Sequence, residues 1–283
     1  MKNFLANYHT HSHYCDGKEA PEEYIKKAIE FGFSALGFSS HAPIHFENDY
    51  SISIERLKDY CLEIEELKKK YSEHLAVFLA LEADYIPKKT YEFDFFRKEY
   101  QLDYIIGSIH LVAHPNTGDL WFVDGGKSEL WDHGFREVFE EDIVKGVKSF
   151  FHQTNEMIES QKPEILGHFD KIKMHNKNRF FSPDDSWYKK LIIESLHLFR
   201  EKNTILEINT RGLYKGRYDE LFPSISILQQ AQTLGIPLML NTDAHHPAEL
   251  NGHYNETIQE LKKAGIKELW HYSKKGWFSS TID

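Results

Sequence analysis

Two short motifs near opposite ends of the chain offer groups suited to holding a cation: His9-Thr10-His11 and Asp243-Ala244-His245. On an extended segment the side-chain period is two, so each motif turns both of its functional groups to one side. Between them stand further residues of the same chemical types: Asp16, His41, Glu82, His110, His168 and Asp170. Neutral imidazole combined with carboxylate suits zinc, iron or manganese. The two cysteines, Cys15 and Cys61, show no CxxC spacing and argue against a thiolate-bound structural zinc. Taken singly, a His-x-His pair or a solitary histidine is more simply a hydrogen-bonded or capping residue. What decides is where the surrounding elements place them.

Those elements alternate. The pattern predicts strands over Phe4–Tyr8, Ser34–Ser40, Ala76–Leu81, Asp103–Ile109, Glu164–Gly167, Thr204–Asn209 and Ile236–Asn241. Helices are predicted over Pro21–Phe31, Ile54–Tyr71, Tyr91–Tyr100, Ile143–Ser160, Trp187–Lys202, Leu221–Leu234 and Asn255–Ala264, with a last short strand over Glu268–Tyr272. Residues 111–139 interrupt the rhythm with glycine, aromatics and acids and are read as one long loop, a candidate lid. Seven strand-helix repeats imply an α/β fold with a parallel sheet and helices outside.

Each predicted strand runs into candidate groups. The first is followed by His9, His11 and Asp16, the second by His41, and the third ends at Glu82. The fourth ends at His110, the fifth at His168 and the seventh at Asp243 and His245, while the sixth is followed by Arg211. In a parallel barrel all C-terminal strand ends meet on one face, where active sites form. Ligand-type residues on six of seven strand ends are hard to reach by chance. An open doubly wound sheet has the same local pattern, but the convergence favours a barrel. The other eleven histidines, including His13, His74, His197 and His271, lack this placement and are read as ordinary, although His13 competes with Asp16 for a place near the cluster.

The bulk properties fit. Across 283 residues, 41% are hydrophobic, enough for a full core in one domain spanning 1–283, and the formal net charge is −10. That balance argues against a nucleic acid backbone or an anionic membrane as the main partner. It leaves room for a small phosphate monoester, because a few bound cations reverse the field inside one pocket. No apolar run matches a signal peptide or a membrane span, so a cytoplasmic location is expected.

Seven segments in this order resemble the polymerase-and-histidinol-phosphatase (PHP) family, and within it the histidinol-phosphate phosphatases. They are His9-Thr10-His11-Ser12 with Asp16-Gly17, Ser39-Ser40-His41-Ala42-Pro43, Leu81-Glu82, Gly107-Ser108-Ile109-His110, Leu166-Gly167-His168-Phe169-Asp170, Glu207-Ile208-Asn209-Thr210-Arg211-Gly212 and Asn241-Thr242-Asp243-Ala244-His245. An acid at position 16 resembles the phosphatase branch; many relatives outside it carry histidine there. The resemblance implies a distorted (β/α)7 barrel with three divalent metal ions. One ion would take His9, His11, Glu82 and Asp243; a second Glu82, His110 and His168; a third Asp16, His41 and His245. It further implies hydrolysis of histidinol phosphate by a metal-bound hydroxide, with Asp243 or His245 passing a proton to the leaving alkoxide. Other readings are a PHP enzyme acting on phosphotyrosine or nucleotides, and a non-catalytic metal-binding regulator.

Arg211, just past the sixth strand, is the first candidate for the phosphate, since its planar fork matches phosphoryl oxygens; Arg179 is the second. Lys171 and Lys173 are read as solvated. Trp121, Phe122, Asp124 and Trp131 within 111–139 would suit a cationic amino-imidazole, or equally an oligomer contact.

Overall fold

A computed structural model describes residues 4–282. In chain order the elements are β1 (Ala6–Asn7), α1 (Pro21–Glu30), β2 (Ala35–Phe38), α2 (Ile54–Lys70), β3 (Ala76–Asp84), α3 (Phe93–Tyr100) and β4 (Tyr104–Ser108). A hairpin of β5 (Leu111–Ala113) and β6 (Leu120–Phe122) follows, then α4 (Ser128–Phe139), α5 (Ile143–Ser160), β7 (Ile165–Leu166), α6 (Lys173–Asn176) and α7 (Ser186–Lys202). The chain continues through β8 (Ile205–Asn209), α8 (Arg211–Tyr214), α9 (Ile225–Thr233), β9 (Leu238–Asn241), α10 (Tyr254–Lys263), β10 (Glu268–Ser273) and β11 (Gly276–Thr281).

Among the described residues, seven strands form one sheet in the order β1-β2-β3-β4-β7-β8-β9, with parallel neighbours throughout. The sheet curls into a nearly closed barrel whose two edges meet at β1 and β9. The seam is stitched by asparagines. Tyr8 N–H donates to Asn241 Oδ1 (2.8 Å), and Thr242 N–H donates to Asn7 Oδ1 (3.0 Å). Beyond them the backbone takes over, with His11 N–H donating to the Ala244 carbonyl and Ala244 N–H to that of His9. The closure lies at the end where the ligand-type residues emerge.

The strand period sorts the side chains. Val77, Leu79 and Leu81 on β3 join the large core beneath the helices. Phe78 and Ala80 point inward, and pack with Tyr8, Ala35, Tyr104, Ile106, Ile165, Ile205 and Met239. The next inward position on β3 is Glu82. On β8, Ile205 is likewise followed two residues later by Glu207. The barrel interior thus passes from apolar at the bottom to charged at the top.

Gly37 sets one layer of this interior: a Cβ there would lie 1.8 Å from the Tyr104 hydroxyl, which donates to the Tyr8 carbonyl at 2.6 Å. Gly37→Ala is expected to lower stability by about 1–3 kcal/mol, seen as a lower urea midpoint at unchanged slope. An unmoved midpoint would mean that the layer has slack. The bottom is stoppered by the β10–β11 hairpin, where Tyr272 and Tyr8 exchange hydrogen bonds and Trp277 packs on Tyr272 and Tyr104. The predicted final strand therefore forms, but as half of an antiparallel hairpin outside the barrel.

Two predictions are corrected. The stretch 111–139 is a hairpin and a three-turn helix rather than a loop. Trp131, Phe135 and Phe139 recur every four residues, so α4 buries one aromatic stripe against Trp121, whose ring centroid is 4.9 Å from that of Trp131. Gly134 and Gly146 leave room for the Trp121 ring. The helix expected from Leu221 starts only at Ile225. Phe222 instead exchanges backbone hydrogen bonds with Asn209, and Pro223 precedes the helix.

Candidate metal centre

The barrel brings all nine sequence-predicted ligand residues to its C-terminal mouth. Glu82 lies at the centre. Its Oε2 is 3.2 Å from His9 Nε2, 3.4 Å from His11 Nε2 and 3.0 Å from His41 Nδ1. Its Oε1 is 3.3 Å from His110 Nε2 and 3.0 Å from His168 Nε2, and accepts from the Ser108 hydroxyl at 2.6 Å. One carboxylate therefore faces imidazoles on both of its oxygens. Asp243 Oδ1 is 3.3 Å from His11 Nε2 and 3.8 Å from His9 Nε2. Asp16 Oδ1 is 3.1 Å from His245 Nε2 and 3.7 Å from His41 Nε2. His13, its competitor, is exposed.

Local backbone makes this possible. A Cβ at Gly17 would fall 2.5 Å from the Ser12 amide nitrogen, so only glycine lets the loop fold back and present Asp16. Asp243 sits at φ 54° and His168 at φ 22°, a region that side-chain-bearing residues seldom occupy and that recurs at functional sites.

The electrostatics are those of a cage built around positive charge. Burial alone would raise the Glu82 carboxyl, yet His9, His110 and His41 more than offset it and hold it well below the usual range. Asp243 is likewise raised by burial and then lowered further by Arg211, His9 and Lys171. Burial depresses His11, and its neighbours His245 and His41 depress it further. His9 Nε2, His11 Nε2, His41 Nδ1 and Asp16 Oδ1 are all buried without a hydrogen-bond partner. Unpartnered buried polar atoms are costly, and these four belong to adjoining donor groups that share His11. Donor atoms of His9, His11 and Asp243 lie within 4.8 Å of one another, as do those of His11, Asp16, His41 and His245. The same holds for His41, Glu82 and His110, and for His110, Asp124 and His168. Divalent cations fit this donor set.

Several residues of the site escaped sequence reasoning. Glu207, fully buried, accepts from His9 Nδ1 (2.7 Å), the His168 amide (2.8 Å) and the side chains of Asn209 and Asn241. Asp84 accepts from His110 Nδ1 (2.9 Å) and from the Tyr50 hydroxyl (3.0 Å). Such carboxylates fix the ring orientation and tautomer of a ligating histidine. The available signal was period: Asp84 and Glu82 share one face of β3, and Glu207 interrupts an apolar strand on its inward face.

Lys171 and Lys173, read as solvated, are both buried. Lys171 Nζ is 2.8 Å from Asp124 Oδ2 and 3.7 Å from Asp243 Oδ2, and Lys173 pairs with Asp170 at 2.7 Å. The acids around them supply the compensation that exposure would otherwise give. Asp124 also stands 3.2 Å from His110 Nε2. Burial would raise its carboxyl, but Lys171 and His110 bring it down to about 2.

Above the cluster opens a cavity lined in part by Tyr50, Phe122, Asp124, Gly125, Gly126, Lys171, Arg211 and Arg217. Arg211 reaches it, with Nη1 2.5 Å from both the Asp243 carbonyl and His245 Nδ1. Arg179 does not. Its guanidinium forks onto Asp132 of α4 at 2.7 and 2.5 Å, away from the cavity.

Comparison with known proteins places this geometry. A Bacillus subtilis histidinol-phosphatase is 24% identical over 270 residues, covering 89% of this chain and 97% of that protein. A Deinococcus radiodurans protein named "Probable histidinol-phosphatase" is 25% identical over 275 residues, covering 96% and 98%. Among solved structures, HisK of Listeria monocytogenes superposes with a TM-score of 0.79 at 22% identity, covering 89% of this chain and 99% of that one. Histidinol phosphate phosphatase of Lactococcus lactis, solved with zinc, L-histidinol and phosphate, gives 0.69 at 20% identity, covering 97% and 99%. At these identities the superpositions establish the shared barrel. The family model for the PHP domain matches residues 7–211. The chain belongs to the PHP domain family.

Proposed function

We propose that this chain is a metal-dependent phosphomonoesterase that hydrolyses histidinol phosphate to histidinol and inorganic phosphate. The observation carrying the reading is the set of four buried ligand atoms without hydrogen-bond partners at the barrel mouth, three on imidazoles around Glu82 and one on Asp16. The names of the curated relatives support the substrate. His9, His11, Glu82 and Asp243 would hold one ion, Glu82, His110 and His168 a second, and Asp16, His41 and His245 a third, with zinc, iron or manganese as candidates. Bound there, divalent ions supply a water of lowered pKa as nucleophile and neutralise phosphoryl charge.

The protein's own groups do the rest. Arg211, Lys171 and Arg217 line the cavity and offer positive charge to the phosphoryl oxygens. The attacking water forms the new P–O bond as the bond to the leaving oxygen breaks, and the displaced alkoxide takes a proton. Asp243 and His245, which both line the cavity with Oδ1 and Nδ1 3.4 Å apart, would pass it. Tyr50 and Phe122, nearly parallel at 14°, line the same cavity as Asp124, and aromatic faces beside a carboxylate suit a cationic amino-imidazole leaving group.

Comparing kcat/KM for histidinol phosphate, phosphotyrosine and a nucleoside monophosphate tests the substrate; preference for either of the latter two overturns it. Turnover that survives exhaustive chelation overturns the metal requirement. Arg211→Ala is expected to raise both KM and the inhibition constant of inorganic phosphate about tenfold. If neither constant moves, Arg211 does not hold phosphate.

A further inference from the structure

Gly125 and Gly126 form part of the cavity wall, between β6 and α4. Glycine backbone has the most conformations to lose, so a fixed position for this wall must be imposed by its surroundings. His175 on α6 is buried, and its Nε2 lies 2.5 Å from the Gly125 carbonyl. A carbonyl only accepts, so this nitrogen carries the proton and donates. Arg179, three residues past α6, reaches the far side of the same loop. Its guanidinium forks onto Asp132, while Nη2 also donates to the His175 carbonyl (2.7 Å) and Nε to that of Asn176 (3.2 Å). It is packed over the rings of Trp131 and Phe180, at 5.7 and 4.9 Å. The two contacts grip the chain on either side of the turn into α4, one at Gly125 and one at Asp132.

We propose that His175 and Arg179 are positioning residues that clasp the 124–126 wall of the cavity against the strand-end cluster. Neither touches the nine ligand-type residues in this arrangement. Their removal therefore loosens the wall that meets the leaving group and leaves those nine residues in place, while Asp124, which belongs both to the wall and to the His110–His168 donor group, stays held by Lys171 at 2.8 Å. The proposal rests on the phosphatase reading for its kinetic consequence, but not for its structural one.

The test compares metal-loaded wild type with His175→Ala, His175→Gln and Arg179→Ala. Histidinol phosphate kinetics, metal stoichiometry and amide hydrogen exchange are measured on each. In the two alanine variants KM is expected to rise about tenfold with kcat within about twofold and stoichiometry unchanged, because a hold on the wall is lost away from the reacting atoms, a buried hydrogen bond at His175 and a partly exposed guanidinium fork at Arg179. Exchange in a peptide spanning 122–130 should speed up while the barrel strands stay protected. His175→Gln, whose amide can donate in the same place, should recover most of the KM. Unchanged KM with unchanged exchange overturns the clasp. So does a kcat that falls in step with metal content, which is what a merely structural role would give. If wild type fails to hydrolyse histidinol phosphate, the substrate reading fails and the exchange result alone decides the clasp.

Discussion

Glu82→Gln is expected to abolish all but a thousandth or less of kcat/KM and to lower metal stoichiometry. The reason lies in its position between two sets of imidazoles. Oε2 faces His9, His11 and His41, and Oε1 faces His110 and His168, all within 3.4 Å. An amide keeps the volume but removes the charge, and it can present only one acceptor oxygen to the two sets. On the proposed assignment Glu82 is shared by two ions, so its loss would undo both the nucleophile and the charge neutralisation, hence an effect on the order of a thousandfold or more. The metal-free protein should suffer as well. His9 is pushed down by burial but pulled up further by Glu207, Glu82 and Asp243, so removing Glu82 strips a counter-charge from a fully buried group. The measurements are elemental analysis and steady-state kinetics on metal-saturated protein. A variant that binds metal in full and turns over normally would remove Glu82 from the centre.

Asp243→Asn should cost a comparable factor, on the order of a thousandfold in kcat, in a chain that still folds. Its value as a test comes from the backbone. Asp243 occupies φ 54°, a conformation that asparagine tolerates better than most residues, so the substitution leaves the turn unstrained. What it removes is the negative charge beside His11 Nε2 (3.3 Å) and near Lys171 Nζ (3.7 Å). Alanine would confound the result by straining the turn. A D243N variant with a normal melting temperature and normal turnover would exclude this carboxylate from both metal binding and proton transfer.

The fold was readable because strand and helix periods alternate cleanly and each buried strand is short and apolar. Ile143–Ser160 was predicted to the residue, helped by Asp142, whose side chain caps the helix at the Lys145 amide. The mouth was readable because barrel topology turns sequence-distant strand ends into neighbours. What was lost has a common physical origin. The four-residue repeat of Trp131, Phe135 and Phe139 is a helix signal, but Gly134 inside it read as loop; its real role is to admit the Trp121 ring. Lys171 and Arg179 exchanged fates for a related reason. Charge partners decide whether a cation is buried, and Asp124 and Asp132 come from a segment whose path the local pattern did not reveal.

The asparagine-stitched seam has a consequence for biogenesis. Tyr8 and Asn241, joined across it, are 233 positions apart. A chain still emerging from the ribosome owns His9 and His11 but lacks the opposite rim, and contacts of such sequence separation form late and slowly. The complete donor set comes together only when β9, the last strand of the barrel, docks. A cation held by His9, His11 and Asp243 together therefore waits for that docking, however early the two histidines are made.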